Sequence, residues 1–349
     1  MRILVTGGAG FIGSHVVREL DAAGHEIVVV DALLPLAHTR TPDDLVPSVE
    51  YRWGDLADAD VARNAVKGVD AVCHQAAMVG LGVDFGDVVE YVRHNDLATS
   101  SLLRALHETA FSGRVVVAGS MVVYGEGSYR CVRHRRVRPE PRTQADLRAE
   151  RWEPVCPTCS RTLHPVPVTE DAAPDPRSVY AATKLHQEHL CRLFGHEHDV
   201  PVTILRYHNV YGPGMPRDTP YAGVASIFRS AIESGRAPFV FEDGGQLRDF
   251  VHVRDIACAN RLALEADQPY DGPLNVATGE PRTVLDLATA LCQSLGDTSL
   301  VPEVVPRFRL GDVRHVFASV DLIRERLAFR HRVTFRDGVD EFATSPLRG

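Results

Sequence analysis

The apolar run Ile3-Leu4-Val5 passes directly into Thr6-Gly7-Gly8-Ala9-Gly10-Phe11-Ile12-Gly13, then into a helix-forming stretch from Ser14 to Ala23 that Gly24 closes. A strand, a turn with glycine at every third position and a helix allow a sharp reversal. Backbone N–H groups and the positive end of the helix can then meet a pyrophosphate. A glycine triplet alone also occurs in ordinary turns. Here a second apolar strand, Ile27 to Asp31, ends in a carboxylate 18 residues beyond Gly13, where it can accept from both hydroxyls of a ribose. The combination predicts a dinucleotide site made of Gly7, Gly10, Phe11, Ile12, Gly13 and Asp31. Asp31 would repel a ribose phosphate, which favours NAD over NADP. Asp55, with Leu56 beside it after a third strand, is a candidate adenine contact, or else a surface turn residue.

Further strands of the buried, non-alternating kind occur at Asp70 to His74, Arg114 to Gly119 and Val202 to Arg206. Helical patterns such as Asp96 to Thr109 and Tyr180 to His196 separate them. That alternation predicts an α/β fold with a doubly wound parallel sheet of the Rossmann kind. After about Tyr207 the pattern is mixed, with helix-like segments at Val224 to Ser234, Val284 to Leu295 and Ser319 to Leu327. Residues 1–206 are therefore read as an NAD-binding domain, and 207–349 mainly as a smaller α+β substrate domain with segments returning to the first core. The chain of 349 residues is 44% hydrophobic and 24% charged, with a net charge of -8. It has no apolar run long enough to span a membrane. The first strand begins by Ile3 and leaves no room for a leader, so a cytoplasmic location is expected.

Seven cysteines in a leaderless chain argue for thiols rather than a disulfide framework. Cys73, Cys191, Cys258 and Cys292 sit singly in apolar surroundings and read as core residues. The others fall in an Arg- and Pro-rich segment, about 127–168, that interrupts the alternation. Cys131-x-x-His134 and Cys156-x-x-Cys159 are ligand pairs 21 residues apart. They suit a closed, structural zinc site with three thiolates and one imidazole, a zinc-ribbon-like insertion. Reduced free cysteines are the alternative; a redox Cys-x-x-Cys lacks its usual helix context. The arginines also admit a nucleic-acid-binding ribbon, which the acidic balance of the whole chain opposes. Neither a nucleic-acid nor a membrane partner is expected.

Tyr180 and Lys184 lie four apart on a predicted helix, so both project from one face. An ammonium beside a phenol, with the positive nicotinamide of oxidised cofactor, would favour the phenolate. These residues belong to a longer series: His74-Gln75-Ala76-Ala77, Asn95, Ser120-Met121-Val122-Val123-Tyr124-Gly125, Tyr180-Ala181-Ala182-Thr183-Lys184, Arg206-Tyr207-His208-Asn209-Val210-Tyr211-Gly212-Pro213 and Arg248-Asp249-Phe250-Val251-His252-Val253. In this order, and with the glycine turn, the chain resembles the extended short-chain dehydrogenase/reductase family, the nucleotide-sugar epimerases and dehydratases.

The resemblance implies that Ser120, Tyr180 and Lys184 are catalytic, and that Tyr180, Lys184, Ala76, Ala77 and Asn95 touch the cofactor. It further implies that Ser120, Met121 and Tyr180 meet the sugar, that Asn209, Arg248 and Arg309 meet the diphosphate, and that Phe241 lies beside the base. Dehydratases of this family carry an Asp-Glu pair after the catalytic hydroxyl. Met121 and Val122 stand there and transfer no proton, so transient oxidation and epimerisation at C4 is expected instead. Keto-sugar reductases usually draw on NADPH, which Asp31 disfavours. Asp31-Ala32-Leu33-Leu34-Pro35, a downstream His38 and the cysteine-bearing insertion are most similar to dTDP-L-rhamnose 4-epimerases, which form dTDP-6-deoxy-L-talose. A homodimer through the helices near Asp96 to Thr109 and Tyr180 to His196 is also implied. His208 stands where many relatives have Phe, and the residues assign it no role. Ser120 and Tyr180 are 60 residues apart because the insertion lies between them. It is expected to overhang the sugar site, with the loops Val79 to Phe85 and Pro213 to Tyr221 completing the choice of sugar.

Overall fold

The computed structural model describes residues 1–35, 37–38, 40–80, 85–217, 223–295 and 300–348. Parts of both sugar-selecting loops, 81–84 and 218–221, therefore lie outside the described residues. The strands are β1 (Arg2–Thr6), β2 (Glu26–Asp31), β3 (Glu50–Trp53), β4 (Ala71–His74) and β5 (Arg114–Ser120). The insertion carries β6 (Ser128–Cys131), β7 (Arg135–Val137) and β8 (His164–Val166). Beyond it come β9 (Val202–Tyr207), β10 (Asn209–Tyr211), β11 (Phe239–Phe241), β12 (Leu247–Arg248), β13 (Phe250–His252) and β14 (Gly272–Val276).

Seven of these form one sheet in the order β14-β9-β5-β4-β1-β2-β3, every pair parallel. Both faces are buried, which is why the strands read as continuous apolar runs. Ile3 and Val5 point into a core with Val16, Leu20, Ile256 and Ala259. Leu4 points the other way, among Leu102, Leu106 and Cys191. Parallel pairing brings the carboxyl ends of the strands to one edge: Thr6 lies opposite His74, and Ser120 opposite Tyr207. Ligands of open α/β sheets bind at such an edge. β14, from the second half of the chain, completes the main sheet, while a separate core around Tyr211, Phe228, Leu287 and Phe342 supports the later segments.

Two segments differ from the sequence reading. The helix expected from Asp96 begins earlier, at Val88, and passes through a π-helical stretch, Val92–Leu97, before the α-helix Ala98–Glu108. Such stretches concentrate at functional sites, and this one holds Asn95. The insertion is a small antiparallel sheet, β7-β6-β8, with a five-residue helix, Gln144–Arg148. Its own apolar cluster is small, Tyr129, Cys131, Cys156 and Leu163, with Leu147, Trp152 and Val168 buried outside that cluster. So few apolar side chains do not order a segment of this length unaided. Among the described residues no helix is long and apolar enough to cross a membrane.

Candidate active site

The glycine turn is shaped by contact. Gly7 has φ +68°, and a Cβ there would stand 2.8 Å from the backbone of Ala76; a Cβ on Gly13 would stand 2.0 Å from the Gly7 carbonyl oxygen. Only glycine permits this approach. The helix Phe11–Ala22 starts at Gly10 with no side-chain cap, so its first N–H groups remain for an anion. The Ala9 N–H donates to Asp31 Oδ2 at 3.0 Å and the Leu33 N–H to Oδ1 at 2.9 Å. These bonds hold the carboxylate at the rim of the cradle with lone pairs to spare. Uncapped amides, a cradle without Cβ atoms and an acceptor pair at the end of β2 fit a dinucleotide. Ala76 lies beneath the turn, its N–H donating to Thr6 Oγ1 at 3.1 Å.

Asp55 and Asn95 both have protein partners. Asp55 accepts from the Ala57 N–H and from the Arg93 guanidinium at 2.8 Å, with buried Leu56 beside it. The Asn95 carboxamide donates to Met78 O at 3.1 Å and to Thr183 Oγ1 at 2.9 Å, and accepts from the Met78 N–H at 2.7 Å. Both of its N–H donors are spent on protein, and they brace the helix Val179–His198. The sequence shows an Asn, not the partner it finds across 88 positions.

That helix starts at Ser178, whose hydroxyl accepts from the Ala181 N–H at 3.1 Å. Tyr180 therefore falls in its first turn and Lys184 one turn further on. Burial pushes the Tyr180 phenol up to about 12, and a hydrogen bond with Ser120 offsets part of that rise. The expected lowering of the phenol is thus not a property of the protein alone. Burial draws the Lys184 ammonium down to about 8 against the pull of Glu188, Cys191 and Asp96. Glu188 is itself tied to Arg206 at 2.8 Å, a buried pair the sequence reading missed although it repeats the four-residue spacing from Lys184. The Tyr91 ring packs on Tyr180 with centroids 6.1 Å apart. After Ser120 the chain turns through Met121–Tyr124, so Met121 and Val122 follow its hydroxyl directly.

On the far side of the edge lie unpaired polar groups. Neither ring nitrogen of His208 nor the Asn209 Oδ1 has a hydrogen-bond partner, although all three atoms are buried. Burial draws His208 down to about 4, so its ring is neutral. Buried polar groups of native proteins are nearly always paired with protein, ordered water or a ligand, so these atoms face a partner outside the described residues. The Arg248 guanidinium makes no ion pair among the described residues. It rests on the carbonyl oxygens of Leu247, Arg314 and Val313 at 2.7 to 2.9 Å. Arg309 lies over the Phe241 ring at 5.6 Å. A cation seated on carbonyl oxygens retains its charge for an anion.

In the insertion, Cys131, His134, Cys156 and Cys159 converge, with all ligand atoms within 4.8 Å of one another. Cys131 Sγ is 3.7 Å from both His134 Nδ1 and Cys159 Sγ, and His134 Nδ1 is 3.3 Å from Cys156 Sγ. Zinc bonds of about 2.3 Å to sulfur and about 2.0 Å to nitrogen give a tetrahedron with edges of about 3.5 to 3.8 Å. The four groups fit that ion.

A dinucleotide cradle and a Ser-Tyr-Lys set at the carboxyl edge of one parallel sheet define a short-chain dehydrogenase/reductase type of enzyme. The chain belongs to the NAD dependent epimerase/dehydratase family, whose model matches residues 3–144 and 159–277. Part of the insertion, 145–158, falls between the two matches. A dTDP-L-rhamnose 4-epimerase of Burkholderia thailandensis is 31% identical, the alignment covering 98% of this chain and 94% of that one. The UDP-glucose 4-epimerase of Thermus thermophilus, solved with NAD, superposes with a TM-score of 0.77 at 30% identity, covering 98% of each chain. A UDP-N-acetylglucosamine 4-epimerase of Methanobrevibacter ruminantium, solved with UDP-N-acetylmuramic acid, gives 0.79 at 27% identity, covering 98% of this chain and 96% of that one.

Proposed function

We propose that the protein is a nucleotide-sugar 4-epimerase, with dTDP-L-rhamnose and dTDP-6-deoxy-L-talose as its substrate pair. The observation that carries the reaction type is the buried Tyr180 and Lys184 one turn apart on one helix, with the proton-inert Met121 and Val122 directly after Ser120. The 31% identical dTDP-L-rhamnose 4-epimerase supports the choice of sugar. NAD would be held by Gly7, Gly10, Phe11, Ile12, Gly13 and Asp31, with Ala76 and Ala77 beneath. The chemistry it supplies when bound is reversible acceptance of a hydride from the carbon bearing the reacting hydroxyl.

The chain's own residues handle the proton and the positioning. Ionised Tyr180 takes the C4 hydroxyl proton at its phenolic oxygen, while Ser120 donates to the same sugar oxygen and fixes its height above the helix. Lys184 adds positive charge below Tyr180 and, with the cofactor's own, lowers the phenol from its buried value. Asn209, Arg248 and Arg309 hold the diphosphate at one end, and Phe241 flanks the base. The flat keto sugar can then swing about that anchor and present its other face before Tyr180 returns the proton. A dehydratase would need an acid and a base where Met121 and Val122 stand.

Zinc held by Cys131, His134, Cys156 and Cys159 would close the insertion without an open position, a structural role. A homodimer is also part of this reading; Leu97 and Leu193 stand 48% and 65% exposed on the two helices that would pair. The test is NMR of the purified protein, with no cofactor added, mixed in turn with dTDP-L-rhamnose, UDP-glucose, UDP-glucuronate and GDP-mannose. Appearance of a C4 epimer from dTDP-L-rhamnose is the expected result. Conversion of another sugar moves the substrate but keeps the reaction, whereas a panel that stays unconverted until NAD(P)H is supplied in a second run, and then consumes it stoichiometrically, makes the protein a reductase.

A further inference from the structure

Arg314 is 2% exposed, and all five of its guanidinium N–H groups are taken. Nε and Nη2 donate to Glu153 Oε1 at 2.9 and 2.7 Å. Nη1 donates to Glu242 Oε2 and Asp243 Oδ1 at 3.0 and 2.7 Å, and Nη2 reaches Asp243 Oδ2 at 2.8 Å. Such saturation leaves the side chain one position. Glu153 belongs to the insertion, three residues before Cys156, and its second oxygen accepts from His315 Nε2 at 2.9 Å. Two more insertion groups grip the same short segment: Tyr129, two residues before Cys131, accepts the His315 N–H at 3.2 Å, and Arg142 donates to Asp312 O at 2.7 Å. The backbone so held is the seat of Arg248, whose guanidinium rests on the carbonyls of Val313 and Arg314.

We infer that the insertion is a clamp that sets the affinity for the substrate's diphosphate, by fixing through Glu153 and Tyr129 the 312–315 segment on which Arg248 is seated. The inference rests on the reading that Arg248 meets the diphosphate and that the four ligands hold zinc. The ligands lock the two short hairpins from which the grip extends. Cys156 N–H donates to Arg161 O at 2.8 Å and Leu163 N–H to Pro154 O at 2.9 Å, so the turn that carries the second ligand pair also sets the height of Glu153. Cys131 ends β6, the strand that carries Tyr129. The buried cluster at the ligands has four side chains, two of them ligands, so apart from Trp152, buried next to Glu153, the hairpins have few apolar contacts to hold that geometry. The clamp does not touch the glycine turn or Asp31, so it acts on the nucleotide sugar and not on NAD. Glu153 and Tyr129 are positioning residues, and Glu153 lies in the stretch, 145–158, between the two matches of the family model.

The test is calorimetry with dTDP and with UDP on the NAD-loaded enzyme, for wild type, Glu153→Gln, Tyr129→Phe and wild type stripped of zinc by a chelator under reducing conditions. Losing a bond to a charged group predicts about tenfold weaker nucleotide binding for Glu153→Gln, and a smaller loss for Tyr129→Phe. The stripped enzyme should weaken at least as much and recover when zinc is restored. NAD affinity and kcat at saturating sugar should stay at the wild-type values, so the effect appears in KM. Unchanged dTDP and UDP affinity in both Glu153→Gln and the stripped enzyme overturns the clamp while leaving the diphosphate site intact. Failure of the wild-type enzyme to bind either nucleotide overturns the diphosphate reading, and the clamp with it. The Glu153 side chain is 39% exposed, which lets the variant fold; if neither variant does, zinc stripping and restoration decides.

Discussion

The Asn95 carboxamide donates to Thr183 Oγ1 at 2.9 Å, between two buried residues 88 positions apart. Thr183 lies between Tyr180 and Lys184 on the catalytic helix, and its hydroxyl also donates to Tyr180 O at 3.0 Å. One Asn in a π-helical stretch thus braces the turn that carries Tyr180 and Lys184, the pair proposed to be catalytic. Asn95→Ala leaves the Met78 N–H and carbonyl unpaired in the interior and takes from the Thr183 hydroxyl the bond it accepts. Each buried orphan costs about 1 to 3 kcal/mol. We expect a clear drop in melting temperature and a fall in kcat larger than any change in NAD affinity. An effect on NAD affinity alone would return Asn95 to the cofactor-contact role.

Tyr180→Phe removes the one atom to which the proposed mechanism assigns the proton. Loss of such a group commonly costs about a hundred- to ten-thousand-fold in rate. The phenyl ring keeps its packing on Tyr91, so stability and retention of NAD should remain those of the wild type. Rapid-quench assay with the active sugar, alongside the cofactor content of the denatured protein, separates the two quantities. Turnover at the wild-type rate would remove Tyr180 from the reaction.

The glycine turn, the strand-ending Asp31 and the four-residue spacing of Tyr180 and Lys184 are local patterns, and they predict both the sheet and the edge where the site lies. The two cysteine-containing pairs are equally local, and they meet. What escaped was tertiary: Asn95 with Thr183, Asp55 with Arg93, and Arg314 with Glu153 across 161 positions. An ion pair between distant surface-type residues leaves no periodicity, so Arg314 and Arg142 read only as charge. The insertion strands were missed for a related reason. In β6 Ser128, Tyr129 and Cys131 are buried beside an exposed Arg130, too short and irregular a pattern to register among so many arginines. The early helix start was obscured by π geometry, which breaks the 3.6-residue repeat.

Arg248 and Arg309 are expected to differ in weight. Arg248 sits on three carbonyl oxygens with its charge unpaired, whereas exposed Arg309 lies over Phe241. Arg248→Ala should raise KM for the nucleotide sugar about ten- to hundredfold, the range of one or two charge-assisted bonds. Arg309→Ala should raise it severalfold, with the weaker cation–π and rim contribution. Arg248→Lys should recover only part, because an ammonium cannot keep the seat and reach the phosphate in the same fork. Steady-state KM values that place Arg309 above Arg248 would reverse the assignment of the principal phosphate ligand.

His74 gives the fold a pH dependence whose sign is fixed by its surroundings. The ring is 1% exposed between Thr6 Oγ1 at 2.7 Å and Thr99 Oγ1 at 2.9 Å. Burial, with nearby Lys184 adding to it, draws it down to about 3. An unfolded histidine titrates near 6.5, so between that value and about 3 the unfolded chain binds a proton that the folded chain refuses. Stability therefore rises with pH through this window, is fully present above it, and is lost as the pH falls from 6.5 towards 3. The contribution is at most about 1.4 kcal/mol per pH unit from one such group. His208 and His252, drawn down to about 4 and about 3, act in the same direction. His74→Gln keeps a polar side chain between the two threonines but cannot take up the proton. At pH 7.5 the variant should be less stable than wild type by about 1 to 2 kcal/mol, the cost of altered buried hydrogen bonds. That gap should narrow steadily on acidification. Urea unfolding of both proteins at pH 7.5, 6, 5 and 4 reads the difference directly, and two curves that stay parallel across the series would show that His74 does not titrate between the folded and unfolded states.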